Sequence, residues 1–142
     1  MITAGVCESY YEEILKGTHD AGDTYRMALF GKDAALSPLT TVYSPSKEIS
    51  GKGYEQGGQV LTGFLTGRWS EGGKRGAYLT WSSPQWPKST ITAFGWQIYN
   101  ASKGNKSVVV GTFKKEVTST VGPFDVFLPF PGATALIRLQ LP

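Results

Sequence analysis

Apolar residues near the start of the chain recur at the three- and four-residue spacing of a helix. The apolar stripe consists of Val6, Tyr10, Tyr11, Ile14 and Leu15. Such spacing places side chains on one side of a helix, where they can pack against a core. Gly17 follows the stripe and is typical of the residue that ends a helix. The pattern predicts one helix over residues 5–16.

From residue 25 onward the pattern changes to short apolar runs separated by clusters of Gly, Pro, Ser and Asn. This is typical of β-strands joined by turns. We expect turns at residues 70–76, 83–87 and 114–120. The predicted strands cover residues 25–31, 59–69, 76–81, 89–100, 107–113, 124–130 and 134–141.

Alternation in the last predicted strand indicates one buried face. Ala135, Ile137, Leu139 and Leu141 lie on that face, because successive strand residues point to opposite sides. The other face carries Thr134, Leu136, Arg138 and Gln140, and we expect it to be partly exposed to water.

The order of the predicted elements determines the expected fold class. Residues 32–58 contain two prolines and many Gly and Ser residues, so they predict a long loop. No helical pattern separates the later strands, which disfavours the crossovers of a parallel sheet. The sequence therefore predicts a mainly β protein, an antiparallel β-sandwich or jelly-roll-like barrel with one short N-terminal helix. We expect a single β domain over residues 1–142.

The segment "SGKGYEQGGQVLTG", residues 50–63, allows two interpretations. A glycine-rich loop can hold phosphate through its backbone N–H groups, or it can form a turn that needs positive φ angles. Gly51, Gly53 and Gly57 miss the G-x-G-x-x-G spacing by one residue, and no helical pattern follows them. The segment therefore favours a structural turn.

Charge and composition disfavour two classes of partner, nucleic acids and membranes. The chain has a formal net charge of +3, and its 14 Lys and Arg residues are scattered without a basic stripe. We therefore expect no nucleic-acid partner. No apolar run approaches about 18 residues, so we also expect no membrane partner. Cys7 is the only cysteine, so no intrachain disulfide can form, in agreement with folding in a reducing cytoplasm.

The residue types that catalysis needs are few in this chain. His19 is the only histidine, which excludes metal sites with two or more imidazoles. The carboxylate pairs Asp20 with Asp23 and Glu48 with Glu55 lie in predicted turns, where such residues are common. We therefore expect no catalytic residue, no cofactor and no metal, and predict that the protein is not an enzyme.

The four tryptophans, Trp69, Trp81, Trp86 and Trp96, leave a second class of function open. Indole rings on a β-sheet can stack on sugar rings, as in carbohydrate-binding modules, or they can pack in the core and at interfaces. We favour packing and keep carbohydrate binding as the alternative.

Four segments in order resemble a group of small virion proteins of tailed bacteriophages. They are "YEEILKGTHDAGDTYRMALFG", "GKGYEQGGQVLTG", "FGWQIYNASKGNKSVVVGTF" and the later "TALIRLQLP". These are strand and turn signatures that cover most of the chain, and none is catalytic. The resemblance implies a structural protein of the virion, made in the cytoplasm of the bacterial host.

Within that group, the role we expect is capsid decoration: a cement protein on the outer surface of the coat lattice. A tail, collar or head-tail component is the alternative. The expected partners are the major capsid protein and the chain itself, as a dimer or trimer. We expect the glycines to let the loop fold back into the next strand, and they are Gly51, Gly53, Gly57 and Gly58. The predicted coat or subunit contacts are Tyr43, Tyr54, Trp69 and Trp86.

Overall fold

A computed structural model describes all residues, 1–142, and it is mainly β, with 46% of residues in strands and 6% in a helix. The elements are β1 (Gly5–Val6), α1 (Glu8–Leu15), β2 (Tyr25–Phe30), β3 (Gln59–Val60), β4 (Leu65–Glu71), β5 (Lys74–Thr80), β6 (Gln85–Ser89), β7 (Thr92–Asn100), β8 (Lys106–Thr118), β9 (Gly122–Asp125) and β10 (Ile137–Gln140). The sheets are antiparallel, and α1 is the only α-helix. The predicted fold class, an antiparallel β-sandwich with one short helix, is confirmed.

The chain forms two compact units. The first comprises Met1–Val60 and Gln85–Phe124, and the second comprises Leu61–Pro84 and Asp125–Pro142. The expectation of a single domain stays a prediction.

The first unit is built on a five-stranded sheet in the order β1-β8-β7-β2-β3. Its centre is apolar: Met27, Leu29, Ile98 and Val108 are each fully buried. The strands at its two edges contain only two residues each, and short edge strands offer little backbone for pairing with another chain. A two-stranded sheet formed by β6 and β9 is separate from it.

The second unit contains a three-stranded sheet in the order β10-β5-β4. The turn between β4 and β5 is Gly72-Gly73, and both residues have positive φ, as tight hairpin turns require. Its edge strand β4 has seven residues and pairs with β5 on one side only. This sheet therefore ends in a longer edge strand than the sheet of the first unit.

Several predicted boundaries are wrong, and backbone pairing explains the later start of the helix. The helix begins at Glu8 instead of residue 5, because Gly5 and Val6 pair with Val110 and Val109. The predicted strand 59–69 is divided into β3 and β4. Residues 85–87 and 114–118, predicted as turns, lie within β6 and β8. The predicted strand 124–130 ends at Asp125.

The helix and the turn after it connect to β7 through buried polar side chains. His19 is only 3% exposed, and its Nε2 lies 2.9 Å from Oε1 of Glu13. Its Nδ1 accepts a hydrogen bond from Nδ2 of Asn100, because the Oδ1 of Asn100 is used by the backbone N–H of Ser102. Nε2 of His19 therefore acts as the donor to Glu13. No helix of this chain has the length and apolar character to cross a bilayer.

Asp23 connects the same turn to β7 and to the residues that follow it. Its carboxylate accepts hydrogen bonds from Asn100 at 2.8 Å and from Lys103 at 2.8 and 2.9 Å. Burial alone would raise the pKa of Asp23, but the hydrogen bonds from Asn100 and Lys103 outweigh it and lower this pKa from 3.8 to about 2. The negative charge of Asp23 therefore stabilises the folded chain.

We predict that acid removes this contribution between pH 4 and pH 2. A depressed folded pKa adds stability that is complete above the unfolded pKa and is lost as pH falls through the folded pKa. Asp23→Asn should cost about 1 kcal/mol at pH 7, after allowance for solvent screening, and the difference should shrink toward pH 2. Urea unfolding across this range measures it. The exposed Asp33→Asn is the control, and a pH-independent loss in Asp23→Asn would contradict the prediction.

Candidate functional site

The glycine-rich loop packs directly on strands of the first unit. A Cβ atom on Gly58 would collide with the carbonyl oxygen of Met27, and one on Gly53 would collide with that of Lys88. Both glycines have positive φ angles, 86° for Gly53 and 77° for Gly58. Gly51 is similarly close, since its Cβ would lie 2.6 Å from the carbonyl oxygen of Thr90. Glycine is therefore needed here both for conformation and for space.

The carboxylate of Glu48 is the centre of the hydrogen bonds that hold this loop. Its Oε1 accepts from the hydroxyl of Tyr43 at 2.5 Å. Its Oε2 accepts from the hydroxyl of Tyr54 at 2.5 Å and from the backbone N–H of Gly57 at 2.7 Å. The hydroxyl of Tyr54 in turn accepts from the N–H of Leu29 in β2. One carboxylate thus joins two parts of the long loop to each other and, through Tyr54, to the sheet.

Arg26 and Tyr99 hold the same turn through its carbonyl groups. Nη2 of Arg26 donates to the carbonyl of Gly58 at 2.8 Å, and Nε donates to that of Gly57 at 3.3 Å. The hydroxyl of Tyr99 also donates to the carbonyl of Gly57, at 2.6 Å. The rings of Tyr43 and Tyr99 are stacked, with centroids 4.4 Å apart. Polar contacts thus fix the turn from both the Glu48 side and the sheet side.

Burial and the nearby carboxylate keep the tyrosines protonated. Burial raises the pKa of Tyr54, and its hydrogen bond to Glu48 raises this pKa further. The same two causes, in the same order, raise the pKa of Tyr43. Both hydroxyls therefore act as donors to the carboxyl oxygens of Glu48. A reaction at this carboxylate would first have to break hydrogen bonds that hold the loop.

Three backbone donors of the loop are already used within the protein, which favours the structural interpretation of the glycine segment. The N–H of Gly57 binds Glu48, that of Gly58 binds the carbonyl of Glu55, and that of Tyr54 binds the carbonyl of Gly51. A phosphate loop needs free N–H groups that converge on the ligand. The segment is a structural turn.

Three of the four predicted contact residues are buried. Tyr54 is 9% exposed, Trp69 6% and Trp86 5%, whereas Tyr43 is half-buried. Tyr54 packs beside Trp86, with ring centroids 5.9 Å apart, and Trp86 contacts Phe124. The prediction that Tyr54, Trp69 and Trp86 contact a partner is wrong. Each of these rings has a large apolar area, and the fold itself covers it.

The same burial removes the basis for sugar stacking. Trp81 is 4% exposed and Trp96 is 8% exposed, so no indole face of this chain is open to a sugar ring. Trp96 instead covers Gly111, its neighbour on β8, where a Cβ atom would collide with the indole. The tryptophans are packing residues.

The surface that sequence reasoning missed lies in the second unit. One side of the three-stranded sheet borders an open depression of about 680 Å³. Trp69, Gly76 and Gln140 also line the depression. Strand pairing places six of its lining residues on one side of the sheet, which we name the outer sheet face: Arg68, Ser70, Arg75, Ala77, Leu139 and Leu141. Leu139 is 45% exposed and Leu141 58% exposed. The alternation in the last predicted strand predicted that Leu139 and Leu141 are buried together with Ala135 and Ile137. Only Ala135 and Ile137 are buried.

Trp69 and Arg138 occupy the opposite side of this sheet. The guanidinium of Arg138 lies 5.3 Å from the centre of the Trp69 ring, a cation–π contact. The indole Nε1 of Trp69 is buried without a hydrogen-bond partner. Trp69 is thus buried beside an exposed Arg138, while all six residues of the outer sheet face are exposed.

Comparisons of the chain with protein-family models, with curated proteins and with solved structures found no match. The structure also contains no group of three or more His, Cys, Asp or Glu side chains arranged to hold a metal ion.

We predict that the contact of Gly58 with β2 is more important for stability than its backbone conformation. Gly58→Ala should destabilise the chain by about 3 kcal/mol or more, because a Cβ atom cannot coexist with the Met27 carbonyl. Gly17→Ala is the matched control, since Gly17 has a similar φ of 71° but no atom lies within 4 Å of the position that its Cβ would take. It should cost only about 1 kcal/mol. Equal losses in chemical denaturation would contradict this prediction.

We also predict that the charge of Glu48 stabilises the loop. In Glu48→Gln the side-chain amide would present N–H groups to the donors that Oε2 now accepts from. The free energy of unfolding should therefore fall by about 1–3 kcal/mol. Glu55→Gln changes an exposed residue of the same loop and should alter stability by less than about 0.5 kcal/mol. Hydrogen exchange of the Gly57 amide should rise in Glu48→Gln alone; unchanged exchange would mean that the carboxylate is dispensable.

Proposed function

We propose that this chain is a non-enzymatic structural protein of a tailed-bacteriophage virion. Its proposed role is that of a decoration or cement protein, which binds the major capsid protein on the outer surface of the coat lattice and also binds copies of itself. The strand and turn signatures described above support the phage assignment. The surface of the second unit supports a role in binding other proteins.

The observation that carries the proposal is a group of large apolar side chains exposed on the second unit. Phe127 is 83% exposed and Phe130 85% exposed. Leu65, Leu139 and Leu141 are between 44% and 58% exposed in the same unit. Burying one such side chain contributes about 1.5–3 kcal/mol, and exposed apolar groups of this kind typically mark protein contacts.

A virion contact also requires a rigid platform, and the first unit supplies one. The loop that sequence patterns predicted to be irregular is held by Glu48, Arg26 and Tyr99 through short hydrogen bonds. Segments that are ordered before binding lose little conformational entropy when they dock. This is the property that a protein clamping a preformed lattice needs.

No observation favours carbohydrate binding, because the indole rings that would stack on sugars are buried. A position in the tail, the collar or the head-tail junction uses the same kind of apolar contact. The experiment below therefore has one outcome that assigns the protein to the tail.

We predict that the exposed phenylalanines bind the coat lattice. Purified protein added to particles that lack it should sediment with the heads, and Phe127→Ser/Phe130→Ser should weaken that binding at least about tenfold. Leu39→Ser/Val60→Ser is the control, since it removes two exposed apolar side chains from the first unit. Both variants should retain the thermal stability of the parent chain, because the changed side chains are exposed.

Electron microscopy of particles from a gene-deleted phage decides between the two virion positions. For a decoration protein, we expect complete tails and heads that are less resistant to heat. Normal heads with missing or malformed tails would overturn the decoration role and assign the protein to the tail.

A further inference from the structure

The exposed side of α1 carries two acidic and two apolar residues in a single stripe. Glu8, Tyr11, Glu12 and Leu15 recur at steps of three and four residues, which places them on one side of the helix. All four are exposed, with Tyr11 at 39% and Leu15 at 88%. We name these four residues the helix stripe.

Within the helix stripe, the charges and the apolar groups form separate rows. Glu8 and Glu12 are four residues apart, as are Tyr11 and Leu15, so each pair is separated by about 6 Å along the helix. The stripe thus presents an acidic row beside an apolar row. An exposed leucine beside two carboxylates is a surface that a basic and apolar partner would cover.

The outer sheet face of the second unit has the complementary pattern. Arg68 pairs with Ala77, and Ala77 pairs with Leu139, so these three residues form one row across the sheet. The next row on the same side contains Ser70 and Arg75, and it extends to Leu141, whose N–H binds the carbonyl of Arg75. Both leucines therefore lie on the β10 side and both arginines lie on β4 and β5.

The spacing of the two surfaces also matches. Arg68 and Arg75 are diagonal neighbours across a strand pair, about 7 Å apart, and alternate residues such as Leu139 and Leu141 are also about 7 Å apart. These distances are close to the separations of about 6 Å in the helix stripe. A two-turn helix laid along the strands would therefore place the acidic row over the arginines and the apolar row over the leucines.

We propose that α1 of one copy of this chain docks on the outer sheet face of a second copy. The contact joins two different surfaces, and two identical copies close it as a reciprocal dimer in which each copy contributes both surfaces. The acidic row neutralises Arg68 and Arg75, and Tyr11 and Leu15 cover Leu139 and Leu141. This proposal gives a structural basis for the self-association that forms part of the proposed function, and it rests on that part alone.

One charged group on α1 competes with the contact. Nζ of Lys16 lies 2.8 Å from Oε1 of Glu12, and both side chains are about two-thirds exposed. An exposed pair of this kind contributes little, so Glu12 can exchange Lys16 for an arginine of the second copy. Because the new ion pairs are partly exposed as well, association should weaken as salt concentration rises.

Charge reversal on each surface tests the proposal by sedimentation equilibrium of the purified chain. Glu8→Lys/Glu12→Lys and Arg68→Glu/Arg75→Glu should each weaken self-association at least about 30-fold, because like charges would then face each other. An equimolar mixture of these two variants should associate again, since each reversed surface now faces a reversed partner. Lys88→Glu/Lys115→Glu, which changes two exposed lysines elsewhere, should associate as the parent chain does.

Recovery in the mixture also shows that both variants are folded, so loss of folding cannot imitate the expected result. The proposal is overturned if the parent chain stays monomeric, if neither reversal weakens association, or if the mixture does not recover. These outcomes are independent of the lattice experiment. A chain that associates as expected but binds no heads would contradict the decoration role and leave this contact intact.

Discussion

The long segment between β2 and β3 depends on one half-buried side chain, the carboxyl group of Glu48. A loop lacks the regular hydrogen bonds of a sheet, so its backbone N–H and C=O groups must bond within turns or to side chains. Here Glu48 accepts a backbone N–H and two tyrosine hydroxyls, while Arg26 and Tyr99 donate to the carbonyls of the same turn. Close packing of the glycines on neighbouring strands then excludes any longer side chain. Charge and steric fit thus order a segment whose composition is typical of a mobile loop.

The two units differ in the length of their edge strands and in the exposure of their sheet faces. The sheet of the first unit ends in two-residue strands and has a buried apolar centre. The sheet of the second unit ends in a seven-residue edge strand and exposes leucines and arginines on one side. Short edges limit unwanted pairing, whereas an exposed mixed surface is typical of a protein contact. The sheet of the second unit is therefore more open to a partner than the sheet of the first unit.

A contact made of ion pairs and leucines would suit assembly on a lattice. Charges orient the partners during encounter, and apolar burial supplies most of the binding free energy. Partly exposed pairs also keep each contact weak, so that many copies can correct their positions before the array is complete. The proposed contact between copies uses this combination, whereas the proposed lattice contact uses the exposed Phe127 and Phe130.

The sequence by itself determined the fold class, the positions of most strands and the structural nature of the glycine segment. These follow from local rules: alternation predicts strands, and glycine spacing with the wrong flanks predicts a turn. Only the tertiary structure decided that Glu48 joins Tyr43 to Tyr54, because hydrogen bonds between distant side chains leave no periodic signal. The tertiary structure also decided which apolar side chains are buried. Trp69 and Trp86 looked suited to a surface, and Leu139 and Leu141 looked suited to a core, yet the reverse holds. A side chain's hydrophobicity indicates that it favours burial, but whether the chain itself or a partner covers it depends on which elements pack against it.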